Sequence, residues 1–528
     1  MQIEAVDCPP PPILPTFTDV KFGTMQFSQR NGRIVADFIA FSRSRMGGPR
    51  NGLLIERRIE SAALNWQKPC DTMPFVDSSK PISMKANISR RKFLRNGTAT
   101  AAFGLAALQT AASKAQIIGA NERIRLGFVG VAMRGSQLLG AFTVHNDMEV
   151  AALCDVDATI LNRVHAQYEK KPFISNDFRK LNERKDLDGI VLASPDHWHA
   201  IQTIEACKAG KDVYVEKPLS ITVVEGRKMV EAARKYNRVV QVGIHRRSGD
   251  IYRDLAAKDI DDFIGRVTVA RCCHMSNMYP DGIGKSQPTN PPEGLDWDLW
   301  LGPRAEQAFQ PNIHPYKFRW WIDYSSQVTG NGVHFVDLFR HFLKEKAPVD
   351  VCAMGGKFAV KDDRTIPDTM HVTWLFETGR LLEFSHYEAN ANPIMTDHAF
   401  VEFRGTKGTL FVNDDRYLVK PERPGQFQEK GERMQAIEET SGGTARQQNL
   451  SITALHARNF LDCIKSREMP NTDVEEGHVS TTMCIIANIS LAVQQRLKWD
   501  AENERFIGND QANALLHYEY RAPWKLEV

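Results

Sequence analysis

Short, almost wholly apolar segments recur along the middle of the chain, separated by stretches of helical period. Residues 124–129 (Ile-Arg-Leu-Gly-Phe-Val), 148–154, 187–193, 213–215 and 239–243 each read as a strand. Between them the apolar positions take helical spacing, most clearly over 200–209 and 223–236. Strands apolar on both faces and alternating with helices need cover on both sides, as in a parallel sheet. The pattern predicts a doubly wound α/β domain over residues 121–243.

Beyond Gly243 the rhythm changes. Segments 266–274, 349–360, 370–377, 380–388, 399–404 and 408–412 predict strands, most with no helix between them. Alternation is plain in Thr-Trp-Leu-Phe-Glu (373–377) and Leu-Leu-Glu-Phe-Ser (381–385). This predicts an α+β domain over 244–455 with an open, mainly antiparallel sheet, one face packed and one free to bind or self-associate. Residues 456–528 close the chain with two helices and a tail. Ala457, Phe460, Leu461 and Ile464 form one apolar stripe, and the second helix spans about 479–496.

The N-terminal part has neither period. Prolines crowd between Cys8 and Pro15, and residues 1–83 read as an unstructured extension or a start placed upstream of the true one at Met84. Residues 84–115 have the shape of a twin-arginine export signal: Ser89, Arg90, Arg91, Phe93 and Leu94 match its core, an uncharged Ala-rich stretch follows, and Ser113-Lys-Ala115 offers a cleavage site. The stretch is too short and too weakly apolar for a spanning helix. The expectation is a periplasmic protein handled by the twin-arginine machinery.

Charge changes little in this picture. With 67 Lys+Arg against 64 Asp+Glu the net charge is +3, and no basic block argues for a nucleic-acid partner. Nine cysteines without a C-x-x-C pair indicate neither a zinc site nor a disulfide framework.

The candidate chemistry lies at strand ends. The first strand runs into Gly130-x-Ala132-x-x-Gly135, the dinucleotide fingerprint with its middle glycine replaced. The turn Gly130, Val131, Ala132, Met133 and Arg134 is expected to cradle a pyrophosphate, with the Ala132 methyl group crowding it. Asp155 ends the second strand, placed to accept from the adenosine ribose and repel a 2′-phosphate, which favours NAD over NADP. These features make the first domain a Rossmann domain. After the third strand, Ser194, Pro195, His197 and His199 are placed over the nicotinamide side. An H-x-H pair can ligate a metal, but no third ligand has a convincing spacing, and such residues also serve as caps and packing; no metal is expected. The fourth strand ends in Glu216-Lys-Pro218, where open α/β sheets bind ligands. There Lys217 can bind a substrate hydroxyl and, if desolvated, help take its proton; the plainer reading is a surface ion pair with Glu216. His334 lies on the first turn of a helix after Thr329-Gly-Asn-Gly332, and alone reads as a cap or solvent contact.

Taken together, Gly127-Phe-Val-Gly130 through Gly135, Glu216-Lys-Pro218 and Gly332-Val-His-Phe-Val-Asp337 make the chain resemble the Gfo/Idh/MocA oxidoreductases, which include glucose–fructose oxidoreductase and inositol dehydrogenase. Its exported bacterial members look closest, through the twin-arginine signal, Trp321 to Tyr324, Asn459 to Ile464 and Arg521-Ala-Pro-Trp524. The resemblance implies that Lys217 is the catalytic lysine, flanked by Glu216 and Pro218, and that His334 is the substrate-side acid–base. Family members usually carry an aspartate four residues before that histidine; here the position is Gly330. Three functions follow as expectations: NAD-dependent oxidation of a sugar or cyclitol hydroxyl, a redox-neutral epimerase or glycosidase using bound NAD, or a non-catalytic sugar or nucleotide binder. A homo-oligomer formed through the sheet face is also expected.

Overall fold

A computed structural model describes residues 26–30, 33–37, 123–395, 399–427, 433–441 and 445–528. The chain divides into two units, Met1–Ala101 and Ala102–Val528. In the first, β1 (Gln26–Arg30) and β2 (Arg33–Asp37) pair antiparallel, a hairpin where the sequence suggested no sustained strand. The export signal over 84–115 lies outside the described residues, as does most of the 1–83 extension.

The second unit begins with β3 (Ile124–Val129), β4 (Met148–Cys154), β5 (Phe173–Ser175), β6 (Gly189–Leu192), β7 (Asp212–Val215) and β8 (Val240–Val242). They form a six-stranded sheet in the order β5-β4-β3-β6-β7-β8, parallel throughout. Between them run α1 (Met133–Thr143), α2 (Ala158–His165), α3 (Arg179–Asn182), α4 (His199–Lys208) and α5 (Val223–Lys235). Every residue of β6, β7 and β8 is buried, as cover on both faces demands. Thr222 and Glu225 start α5 with a reciprocal capping box, which fixes the chain just past Lys217.

After α6 (Asp250–Ala257) and α7 (Ile260–Ile264) comes the long strand β9 (Val267–Asn277), then α8 (Trp297–Leu301) and a π-turn at Val328–Gly332 that runs into α9 (Val333–Leu343). The strands β10 (Pro348–Gly356), β11 (Thr369–Phe376), β12 (Leu381–Tyr387), β13 (Ala389–Asn390), β14 (Val401–Gly405), β15 (Gly408–Val412), β16 (Arg416–Pro421) and β17 (Ile437–Thr440) follow. The helices α10 (Ala445–Ser466) and α11 (Val474–Val493) precede β18 (Leu497–Asp500) and β19 (Arg505–Phe506). The second sheet has the order β17-β16-β15-β14-β9-β12-β11-β10-β18-β19, with β13 on β9. All its pairs are antiparallel except β9 with β12. The mainly antiparallel sheet of the sequence reading is therefore present, mixed by this one parallel pair.

Alternation along β11 puts Met370, Val372, Trp374 and Phe376 inward, and the Trp374 indole donates to the Met483 carbonyl of α11 at 3.0 Å. One continuous apolar core joins the two halves, since Val215, Val240 and Val242 cluster with Phe339, Trp374 and Ile486. At the seam, a Cβ on Gly477 of α11 would lie 2.4 Å from a Val242 methyl group, so the helix packs directly on β8. The stripe of Ala457, Phe460 and Leu461 packs into the core under β3 and α1, with Phe460 edge-on to Phe142 and Tyr214. A C-terminal helix thus completes the N-terminal domain and fixes where the two halves meet.

Candidate functional site

The meeting line is a cleft of about 680 Å³, within the range of small-molecule sites. Its cofactor end is built by the β3–α1 turn. Gly130 has φ +76°, and a Cβ there would sit 2.7 Å from the Ala193 backbone; one on Gly135 would come 1.9 Å from the Gly130 carbonyl oxygen. Only glycine allows this turn to close so tightly against β6. Helix α1 starts at Ala132 with no side-chain cap and no acid in its first turn. Its first N–H groups are therefore left for an anion, the requirement of a pyrophosphate site.

The Asp155 carboxylate accepts from the backbone N–H of Val131 at 2.9 Å and of Asp157 at 3.0 Å, which ties the end of β4 to the glycine turn. Burial pushes its pKa up, against the pull of those N–H groups. Ala132, Met133, Arg134, Asp155, Ser194 and Pro195 all line the cleft. Val131 is fully buried, and its N–H rather than its side chain serves the turn. These residues fit NAD.

At the carboxyl end of β7 the Glu216 and Lys217 side chains diverge, as strand alternation dictates. Glu216 accepts from the Arg134 guanidinium at 2.8 Å, whereas the Lys217 ammonium donates to the Gly330 carbonyl at 2.5 Å. The surface ion pair is thus absent. Burial pushes the Lys217 pKa down to about 8, only partly offset by Glu216 and Asp196. The Lys217–Pro218 peptide is cis.

The histidines separate. His199 lines the cleft, its ring nitrogens 2.8 Å from the Pro218 carbonyl and 3.0 Å from that of Ser194, so it braces the lysine turn against the loop after β6. His197 is a packing residue, not a cofactor contact: it is fully buried between Trp300 and Tyr324, with Nε2 donating to the Trp300 carbonyl at 2.8 Å. Desolvation pushes its pKa down to about 3. His334 is neither a cap nor a solvent contact, and it is absent from the cleft wall. It lies buried against His245, rings 5.2 Å apart, with Nδ1 unpartnered. Burial and the charges of Lys217 and Arg246 hold its pKa well below the usual histidine value. Asp337 faces away from the cleft, paired with Arg247 at 2.8 Å. Among the described residues no cluster of His, Cys, Asp or Glu could hold a metal.

The opposite wall comes from the C-terminal domain: Tyr316, Arg319 and Trp320, then Ser325, Gln327 and Asn331, with His274 on β9 and Glu388 after β12. Glu388 is fully buried and accepts from Trp320 Nε1 at 2.8 Å and from Arg364. Burial opposes its ionisation, yet His386, Arg364 and Trp320 hold its pKa low. Sequence reading missed these residues and also Asp196. Asp196 had a signal, sitting between the two singled-out residues Pro195 and His197; Glu388 and Arg319 had none, because only the fold brings their segments to the cleft.

The two halves match two descriptions of one family: its NAD-binding Rossmann fold over residues 124–244, and its C-terminal alpha/beta domain over 259–413 and 445–526. The chain belongs to the Gfo/Idh/MocA oxidoreductases. Among curated relatives, a glycosyl hydrolase family 109 protein of Shewanella putrefaciens is 30% identical over 172 residues, covering 28% of this chain and 38% of the relative. An alpha-N-acetylgalactosaminidase of Shewanella oneidensis is 32% identical over 122 residues, 22% of this chain and 27% of the relative. The chain thus spans under two fifths of the length of these relatives. The WlbA dehydrogenase of Bordetella pertussis, solved with NADH and UDP-GlcNAcA, shares the fold at a TM-score of 0.51 and 19% identity, covering 72% of this chain and 99% of that one.

Proposed function

We propose that this protein is an NAD-dependent oxidoreductase acting on a hydroxyl group of a sugar, sugar derivative or cyclitol. The observation that carries this is Lys217, desolvated at the carboxyl end of β7 in a cleft shared by the nucleotide-binding turn and the second domain. As an ammonium it holds the reacting oxygen and stabilises negative charge that develops there. Bound NAD would supply the hydride acceptor. Asp155, at the end of β4 beside the glycine turn, supports a preference for NAD over NADP, because a carboxylate there would repel a 2′-phosphate. Trp320 and Tyr316 offer the apolar faces that pack on sugar rings, and His274, Asn331 and Arg319 offer polar contacts.

A redox-neutral version of this chemistry, in which the oxidised carbon is reduced again after epimerisation or glycoside cleavage, is favoured by the names of the glycosyl hydrolase relatives. The export reading of residues 84–115 adds to it, because little free NAD is at hand outside the inner membrane and a retained cofactor then serves many turnovers. We expect the protein to purify with near-stoichiometric NAD that survives dialysis, and to change its absorbance at the nicotinamide band when sugars are added. Empty protein whose activity rises in proportion to free NAD⁺ would favour net oxidation. Protein that neither binds NAD nor responds to any sugar or cyclitol would refute both versions.

A further inference from the structure

We propose that Asp196 is the carboxylate that receives the substrate hydroxyl proton beside Lys217, a role for which Gly330 has no side chain. This rests on the oxidoreductase reading above and identifies a group acting in the same site.

Asp196 lies in the loop after β6, is more than nine-tenths buried and lines the cleft together with Lys217. Its carboxylate accepts a hydrogen bond from the Ser325 hydroxyl of the opposite domain. Ser325 leads into the π-turn whose Gly330 carbonyl receives the Lys217 ammonium. A Cβ added at Gly330 would meet a single neighbour, Ser325 Oγ at 3.9 Å. A carboxylate grown from position 330 would therefore point to the hydroxyl that now holds Asp196. The negative charge beside Lys217 comes instead from the Rossmann side of the cleft, braced across the domain boundary.

Asp196 and Lys217 line the same cleft, each within electrostatic reach of the other, and no direct ion pair joins them. His334 is not among the residues that line the cleft, whereas Asp196 is. In the step, the O–H bond breaks and its proton passes to the Asp196 carboxylate. Bound NAD would accept the C–H hydride, and the O–H electron pair would then form the carbonyl, so atoms and charge balance.

The test uses the full chain loaded with NAD, with myo-inositol, N-acetylgalactosamine and its p-nitrophenyl α-glycoside as probes. Asp196→Asn, nearly isosteric, should lower turnover by about 10²–10⁴-fold and leave cofactor affinity within about twofold. It should also abolish the acid limb of the pH profile. The titratable and charged groups facing Asp196 are His199, Arg319 and Lys217, and these remain. Adding Gly330→Asp to Asp196→Asn should recover at least about tenfold of the loss, since the new side chain has space and reaches the same hydroxyl. Wild-type turnover in Asp196→Asn, or no recovery in the double variant, would overturn the proposal.

A readout without substrate separates it from the oxidoreductase reading: the pH dependence of Lys217 acetylation by acetic anhydride, followed by mass spectrometry. Its midpoint should fall in Asp196→Asn, because a charge that favours the ammonium is gone. An unchanged midpoint would overturn the pairing even where wild type turns over none of the probes, an outcome that by itself would sink the functional reading.

Discussion

Lys217 carries its charge into a wall that excludes most water, and that burial brings its pKa down to about 8. The ammonium form is therefore dominant near neutrality and is lost as pH rises through about 8. We expect turnover to fall on that basic limb, and Lys217→Ala to lower turnover by about 10²–10⁴-fold, the usual range for groups that handle protons and charge at a reacting oxygen. Cofactor affinity should be nearly unchanged, because the nucleotide turn is formed by other residues; a parallel loss of cofactor would mean that the lysine is structural. Asp155 supports a second test at this scale. If the proposed preference for NAD holds, Asp155→Ala should raise NADP affinity relative to NAD by about tenfold, roughly 1.4 kcal/mol, because a carboxylate beside a 2′-phosphate would repel it. Tighter binding of NADP than NAD by wild type would refute it. Lys217, Asp155 and Gly130 could be singled out from sequence because each follows an apolar strand directly and the strand fixes where it points. His197 and His334 could not be read this way, because burial decides their role and burial depends on partners such as Trp300 and His245 that lie far away in sequence.

The parallel sheet was legible because its strands are apolar on both faces, and the predicted 148–154 coincides with β4 while 223–236 lies within a residue of α5. The missed strands include β5 in the parallel sheet and β16, β17 and β18 in the second; β17 (Ile-Glu-Glu-Thr) and β18 have four residues each and lie along longer neighbours, β16 and β10. The parallel pairing of β9 with β12 was likewise beyond reach, since period two says which face is buried and not which strand is adjacent. The junction of β3 and α1 allows a sharper test of packing. Gly135→Ala places a methyl group where the Gly130 carbonyl oxygen already sits, 1.9 Å away, so helix and turn must separate. We expect a destabilisation of about 1–3 kcal/mol, the usual cost of overpacking, and at least tenfold weaker cofactor binding, roughly 1.4 kcal/mol. Gly140, five residues on in the same helix, meets nothing within 4 Å. Gly140→Ala should stabilise by about 0.5–1 kcal/mol through helix propensity alone. Denaturant unfolding and cofactor titration of the two variants give the comparison, and equal effects would mean that the close approach at Gly135 does not hold the turn.

For the whole molecule, packing two domains onto one core buries titratable groups whose cost depends on pH. His197, near 3, and His274, His341 and His456, near 4, have pKa values lowered by desolvation, and those of His245, His314, His334 and His517 are lowered as well. In the unfolded chain a histidine takes up its proton near pH 6.5. Between there and about 4, the unfolded state binds protons that the folded state refuses, so stability falls as pH falls. Each such group contributes at most about 1.4 kcal/mol per pH unit. Carboxylates held low, such as Asp147 and Asp337, act only below the ordinary carboxylate range and leave this window alone. Asp155, Asp196 and Glu225, whose pKa values burial raises, act in the opposite sense, because their folded forms gain protons first. Eight histidines against three carboxyls leave the histidines in control among the described residues. We therefore expect ΔG of unfolding to drop by several kcal/mol between pH 7 and pH 5, with net proton uptake on unfolding when calorimetry is repeated in buffers of different ionisation enthalpy. Stability that stays flat or rises over that interval would mean that water reaches these rings, and that the shared core is looser than the close packing of α11 on β8 requires.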